Sequence, residues 1–501
     1  MSSAWTHVWR GTHCAVKQGM VRHLAPVLLP LLAVGVVACS AGDAGDDAVG
    51  SDEAAVLDTA KARGRATIHF ASPTAGAPDE MCVLPNHAPG GDYDSGDEKS
   101  EKELCSYVFY GAGPREADAP KKDVAICPKL SSTNPGTDVH ELLAGTSREQ
   151  TEQTICKQDD RASKLLAKYK QSITCSYSPS ILGYYHLSRI LGGAGDVKPA
   201  VVRTMDLQEH KKITGEALTI LARQADTEFP KVSWLSYRSA ESNPAASRHK
   251  DNIYTADLLQ IYGGMQENAR GEAKYSEINR RGRDPNPHSL FVQTPGYQRL
   301  ITGKPLANFV ARTLAEAAQP VVQMRDMSEM LVMDYLMSQQ DRFGNIHAIE
   351  YFYFPKEGGG IDKVKKNKVD DGEVAMPAGA VLVKKMIMKD NDCGGPAKTN
   401  HVKNAGLIDQ IRHMNPELYS HVRWMAANFG QGTALPKFFS AEALFQQQDI
   451  DMLRANLAAI DTKLHDACSS GKLLLDLDLG NHLAGKGHDP AACEAVAPAK
   501  P

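Results

Sequence analysis

The chain has 501 residues, of which 42% are hydrophobic and 23% charged, and a formal net charge of −4. This is ordinary globular composition with ample length for a packed core. The lack of a basic excess argues against a nucleic-acid binder, because a phosphate-tracking surface needs one.

At the N-terminus, Met20-Val21-Arg22-His23 forms a short basic region. An apolar run over 24–37 follows, and Val36-Val37-Ala38-Cys39 reads as a bacterial lipobox. We therefore expect residues 1–38 to be a signal peptide, with Met20 as a candidate true start, and Cys39 to be the lipidated first residue of the mature chain. The apolar run, about fourteen residues, is short of the roughly 20 that a bilayer span needs. Acyl chains on Cys39 would supply the anchor. Ser40 rather than Asp after the Cys points, by resemblance to enterobacterial sorting, to the outer membrane of the cell envelope. Residues 39–65 are small and acidic and read as a flexible tether.

Eight cysteines remain in the expected mature body: Cys82, Cys105, Cys127, Cys156, Cys175, Cys393, Cys468 and Cys493. An even number in an exported chain predicts four disulfides, with connectivity that spacing does not reveal. No C-x-x-C pair favours zinc.

From 66 to 205 the sequence mixes short β-like runs with loops. Strands are expected over 67–70, 106–110, 123–126 and 164–170, and a charged loop over 88–102. An amphipathic helix over 181–191 ends in Gly192-Gly193, and a Pro-led strand over 199–205 follows. Residues 206–471 read as mainly helical, with helices over 216–224, 305–318, 406–414, 416–429 and 450–465. Asp326-Met327-Ser328-Glu329 resembles a capping box ahead of an apolar helix. Two strands, 346–354 and 380–388, interrupt this half and are joined by a Gly/Lys/Asp-rich loop. Residues 472–501 form a C-terminal tail. The fold class expected is α+β, with a mixed, β-rich first part and a mainly helical second part.

Chemistry concentrates where a helix runs into Asp341-Arg342-Phe343-Gly344-Asn345 and a hairpin later returns the chain to Lys389-Asp390-Asn391-Asp392-Cys393-Gly394. An Asp on a post-helix loop can take the proton of an acceptor hydroxyl. An Asn just beyond it and an acidic turn at a strand end can hold Mg²⁺ on ATP phosphates. Each motif alone also has a structural reading: Asp341-Arg342 as an ion pair at a helix end, and Asp390-Asn391-Asp392 as an Asx-rich turn or a Ca²⁺ loop.

Residues 333–342 resemble the D-x-L-x-x-N-x-D-R-H stretch of secretory-pathway (Golgi casein) kinases, HipA-type kinases and phosphatidylinositol kinases. Asp392-Cys393-Gly394 resembles their metal-binding D-x-G, and the D-x-D variant of CotH-type kinases keeps Asp390 beside it. Residues 183–192 and 197–203 are similar to the helix and strand that those families place between the ATP lysine and the hinge. The resemblance implies a bilobal kinase-like fold, with an N-lobe over 66–205 and a C-lobe over 206–471. It implies Asp341 as base, Asn345, Asp392 and Asp390 as ligands of Mg²⁺ or Mn²⁺, and Lys168, with Lys170 next, on the ATP phosphates. The acceptor would be a hydroxyl on a protein, lipid or glycan.

The chain departs from that pattern in three places. No acid occurs between Gln171 and Leu191, so Glu149, Glu152, Asp159 or Asp160 would have to partner the ATP lysine. Asn345 follows Asp341 by four residues rather than five, and Phe343 replaces the usual His. A non-catalytic envelope lipoprotein built on a pseudokinase scaffold would carry the same departures.

Overall fold

A computed structural model describes residues 57–59, 63–111, 113–157, 163–224, 227–279 and 288–496. The signal peptide, Cys39, most of the acidic tether, and Asp159 and Asp160 lie outside the described residues.

The architecture is α+β. One eight-stranded sheet, mostly antiparallel, comprises β1 (Ala66–Phe70), β2 (Glu80–Leu84), β3 (Tyr107–Val108), β4 (Lys122–Pro128), β5 (Thr137–Glu141), β6 (Leu165–Lys170), β7 (Ala200–Asp206) and β8 (Gln260–Glu267), in the order β1-β2-β7-β8-β6-β5-β4-β3. β8 lies beyond the boundary expected at Met205, yet it sits in mid-sheet between β7 and β6. The second sheet comprises β9 (Ala273–Lys274), β10 (His347–Pro355), β11 (Ile361–Lys365) and β12 (Val381–Ile387), with β10 central. β11 falls in the segment expected to be a loop.

Helix α1 (Ser95–Leu104) occupies the expected charged loop. Asp94 caps it, its side chain accepting from the Gly96 and Asp97 amides, and the Asp97 side chain reciprocates. The helix docks through charge rather than an apolar stripe. Asp97 takes both arms of Arg189 at 2.7 Å, and the fully buried Glu101 meets Arg65, His87 and, at 2.6 Å, the Tyr185 hydroxyl. Docking also starts earlier than the expected tether end: Leu57 bridges to Thr255 and packs on the core.

α2 (Arg148–Ile155) precedes β6, and α3 (Ser178–Ile190) follows it. Every α3 residue except Arg189 is buried. α4 (Leu207–Leu221) and α5 (Glu228–Ser242) cover the first sheet through Leu218, Leu221, Trp234 and Tyr237.

The second half centres on a 24-residue helix, Leu314–Met337, buried without interruption from Asp326 to Met337. The capping box expected at Asp326 is overturned, because that segment lies within this helix. The Asp326 carboxylate instead accepts from the Met386 amide at 2.6 Å and that of Glu329 from the Gly195 amide at 2.8 Å, tying the helix to β12 and to the turn before β7. Helices Pro416–Asn428 and Gln447–Ser469 match expectation closely; the helix expected over 406–414 is only Leu407–Gln410. The expected C-terminal tail is part of the fold, with Leu473 and Leu477 fully buried.

All eight expected cysteines pair, as Cys82–Cys105, Cys127–Cys156, Cys175–Cys393 and Cys468–Cys493. No helix among the described residues is long and apolar enough to cross a membrane.

Candidate functional site

Lys168 and Lys170, two apart on β6, project from the same face of the first sheet. Opposite them, β12 ends in a turn that begins at Asp390, whose φ of 52° is left-handed, a conformation Asp tolerates better than most residues. Asn391–Cys393 then forms a single 3₁₀ turn. The turn is held from beneath. Arg342, 2% exposed, forks onto Asp334 at 2.9 and 3.1 Å and donates to the Lys389 carbonyl and the Asn391 amide oxygen, both at 2.6 Å. Ser180 of α3 donates to the Asn391 carbonyl at 2.6 Å. A Cβ on Gly394 would lie 2.8 Å from the Met337 carbonyl oxygen, so glycine is what lets the turn close onto the end of the long helix.

The two segments meet as a four-charge cluster. Lys170 Nζ lies 2.8 Å from Asp392 Oδ2 and 3.9 Å from Asp390 Oδ1, and Lys168 Nζ lies 3.7 Å from Asp390 Oδ1. Ser176 also donates to Asp392. Burial opposes every one of these charges, but mutual attraction prevails. Lys168 is raised above the usual lysine value by Asp390 and Asp138, and Lys170 by Asp392 and Asp390. Asp390 is held well below the usual carboxylate range by Lys168 and Lys170, and Asp392 is lowered chiefly by Lys170. The cluster lines a narrow cleft of about 450 Å³, counting its mouth, whose other wall is Gln266, Glu267, Asn268 and Ala269 at the end of β8.

Asp341 stands exposed on the loop after the long helix. Partial burial of its carboxyl, with Asp392 and Asp390 nearby, raises it above the ordinary 3.8. Its neighbour Arg342 pairs with Asp334 rather than with Asp341. Asn345 is engaged elsewhere: its Oδ1 accepts from Lys274 at 3.2 Å, and its amide donates to the Asp341 carbonyl at 3.2 Å. Among the described residues Asp341, Asp390 and Asp392 do not gather their oxygens into a three-ligand group. The group whose donor atoms do gather within 4.8 Å is Cys468, His488 and Cys493, where the two sulfurs are a disulfide.

Of the acids expected to partner the ATP lysine, Glu149 pairs with Arg148, and Glu152 accepts from the Ile126 amide at 3.0 Å. The acids that do pair with Lys168 and Lys170 are Asp390 and Asp392. The fold also brings in residues that the sequence did not single out. Lys129, at the β4–β5 turn, is pushed down to about 7 by burial and by Lys170 and Lys168. Glu272 pairs with Lys389, which the sequence already marks at the head of the acidic turn. His347, 9% exposed, has no hydrogen-bond partner on either ring nitrogen, and burial together with Lys389 pushes it down to about 3. Only the Pro135-Gly136 turn signal near Lys129 marks any of these in sequence.

Comparison of the sequence with protein-family models and with curated proteins finds no match.

Proposed function

We propose that this chain is an atypical kinase-like phosphotransferase that moves the ATP γ-phosphate to a hydroxyl acceptor. The observation that carries the reading is the 2.8 Å contact of Lys170 with Asp392, residues 222 positions apart that meet in a cleft. A phosphate-binding lysine beside a metal-binding Asp is what nucleotide phosphates require. The chain order supports it: lysine strand β6, buried helix α3, strands β7 and β8, then the cleft wall after β8. Lys170, better buried and closer to Asp392 than Lys168, becomes the first choice for the phosphate contact.

Asp392 and Asp390 are hard oxygen donors of the kind Mg²⁺ takes, and would hold it. Held there, Mg²⁺ would supply charge neutralisation at the phosphates. Asp341, exposed and with its carboxyl raised, is suited to accept a hydroxyl proton. The two Ala variants should fail differently. Asp392→Ala should abolish Mg²⁺-dependent ATP binding, measured by calorimetry. Asp341→Ala should keep binding and lose about 10²–10⁴ in transfer rate, because a general base acts chiefly in the transition state. Equal loss of binding in both would contradict these roles.

A second reading, a non-catalytic scaffold, draws on a different observation: both candidate metal-binding acids are already matched by lysines, and Asn345 is turned to Lys274. We further propose a lipid anchor at Cys39 in the cell envelope, at the outer membrane. Four disulfides are compatible with an oxidising compartment.

A further inference from the structure

The Cys175–Cys393 cross-link differs from the other three in access and in place. Seven of the eight paired cysteines are buried, between 0% and 4% exposed, whereas Cys175 is half-buried and follows the exposed Thr174. A thiolate in solution attacks the sulfur it can reach, so access singles out Cys175 Sγ. Both sulfurs also carry a donor: Gln340 Nε2 donates to Cys175 Sγ at 3.2 Å, and Asn134 Nδ2 to Cys393 Sγ at 3.3 Å. A sulfur that accepts a hydrogen bond leaves more readily, because the bond favours its thiolate.

The bond joins segments that shape the acidic turn. Cys393 is next to Asp392, and Cys175 is next to Ser176, whose hydroxyl donates to the Asp392 carboxylate. The Tyr177 amide donates to the Asp392 carbonyl at 2.7 Å, and the Gln340 amide, beside Asp341, donates to the Cys393 carbonyl at 3.1 Å. Thr174 sits at a φ of 56°, a left-handed conformation that a β-branched residue rarely adopts, and its hydroxyl donates to Asn134 Oδ1 at 3.2 Å. Backbone held in such a conformation relaxes when its restraint is removed.

We propose that Cys175–Cys393 is a thiol–disulfide exchange site for a dithiol, and that opening it loosens the turn carrying Asp390 and Asp392. One thiolate of the dithiol attacks Cys175 Sγ. The S–S bond breaks, and Cys393 leaves as a thiolate beside the Asn134 amide and takes up a proton. The second thiolate of the dithiol then attacks its own sulfur in the mixed disulfide and frees Cys175, which is protonated in turn. The protein disulfide is reduced, the dithiol is oxidised to a disulfide, and a disulfide oxidant reverses the sequence. That the loosened turn releases a metal-bound nucleotide rests on the proposed function; the opening of the bond and the loosening do not.

The test treats the mature protein in native buffer with limiting dithiothreitol, quenches with iodoacetamide and maps the alkylated peptides by mass spectrometry. Cys175 and Cys393 should be alkylated first, about tenfold or more faster than the cysteines of the other three bridges. Those bridges, still closed, report that the body stays folded. Amide hydrogen exchange in the protein opened at this one bond should quicken about tenfold or more over 172–177 and 389–395, and stay unchanged in β2 and β4, which carry intact bridges. Reoxidation with oxidised glutathione should restore the slow rates. Alkylation of all eight cysteines together, opening of Cys175–Cys393 last, or unchanged hydrogen exchange in the acidic turn once the bond is open would overturn the proposal. With ATP and Mg²⁺ the oxidised form should bind about tenfold or more tightly than the opened form. If the oxidised form binds no nucleotide, the proposed function fails, and the alkylation order and hydrogen exchange still decide this site.

Discussion

At the scale of single residues, Arg342 decides whether the acidic turn holds its shape. Its guanidinium satisfies Asp334, fully buried and also bonded by the Tyr184 hydroxyl at 2.7 Å, and reaches the turn at Lys389 and Asn391. Arg342→Met should cost about 3–5 kcal/mol in denaturant unfolding, because it strands a buried carboxylate. Adding Asp334→Asn should recover part of that loss; a double variant no more stable than the single one would contradict the pairing. Lys129 gives the opposite sign. Its folded pKa of about 7 lies below the ordinary 10.5, so between those values the unfolded chain binds the extra proton and stability rises with pH. Lys129→Met should therefore raise Tm more at about pH 6 than at about pH 9. An equal rise at both would show that burial does not depress this lysine.

At the scale of elements, β6, α3, β7, β10 and β12 are legible in the sequence because apolar residues set their periodicity and all face a core. The elements that sequence reading missed are held by polar contacts. α1 is a run of Asp, Glu and Lys whose partners, Arg189, Arg65 and Tyr185, lie far along the chain or before the expected fold start. Asp326 and Glu329 look like a cap in sequence, and only the arrival of the Met386 and Gly195 amides makes them mid-helix acceptors. The candidate site divides in the same way. Asp390 and Asp392 could be named from a local motif and the two lysines from the family resemblance, whereas Lys129, Glu272 and His347 reach the site through sheet pairing. The Cys175–Cys393 disulfide is the covalent counterpart: it ties the turn holding Asp392 to the segment after β6, across a separation of 218 residues. In the chain-entropy picture a loop of that length contributes about 5 kcal/mol. Cys175→Ala/Cys393→Ala should thus unfold at markedly lower denaturant than a variant lacking Cys82–Cys105, which closes 23 residues. Equal midpoints would argue against the long cross-link.

At the scale of the whole molecule, the proposal is of a lipid-anchored chain that takes a nucleotide in the cleft lined by Lys170 and Asp392. The anchor is testable by itself: Cys39→Ser should leave the membrane fraction and lose acyl labelling, and unlabelled wild type would remove it. The central claim is that the Lys168, Lys170, Asp390 and Asp392 cluster exists to receive a metal-bound nucleotide rather than to staple the fold. The most direct measurement is calorimetric titration of the purified mature protein with ATP, with and without Mg²⁺ or Mn²⁺. The account predicts binding that requires the divalent metal and disappears in Lys170→Ala. A wild-type protein that binds no nucleotide with either metal would contradict it and leave the cluster as a structural ion-pair network.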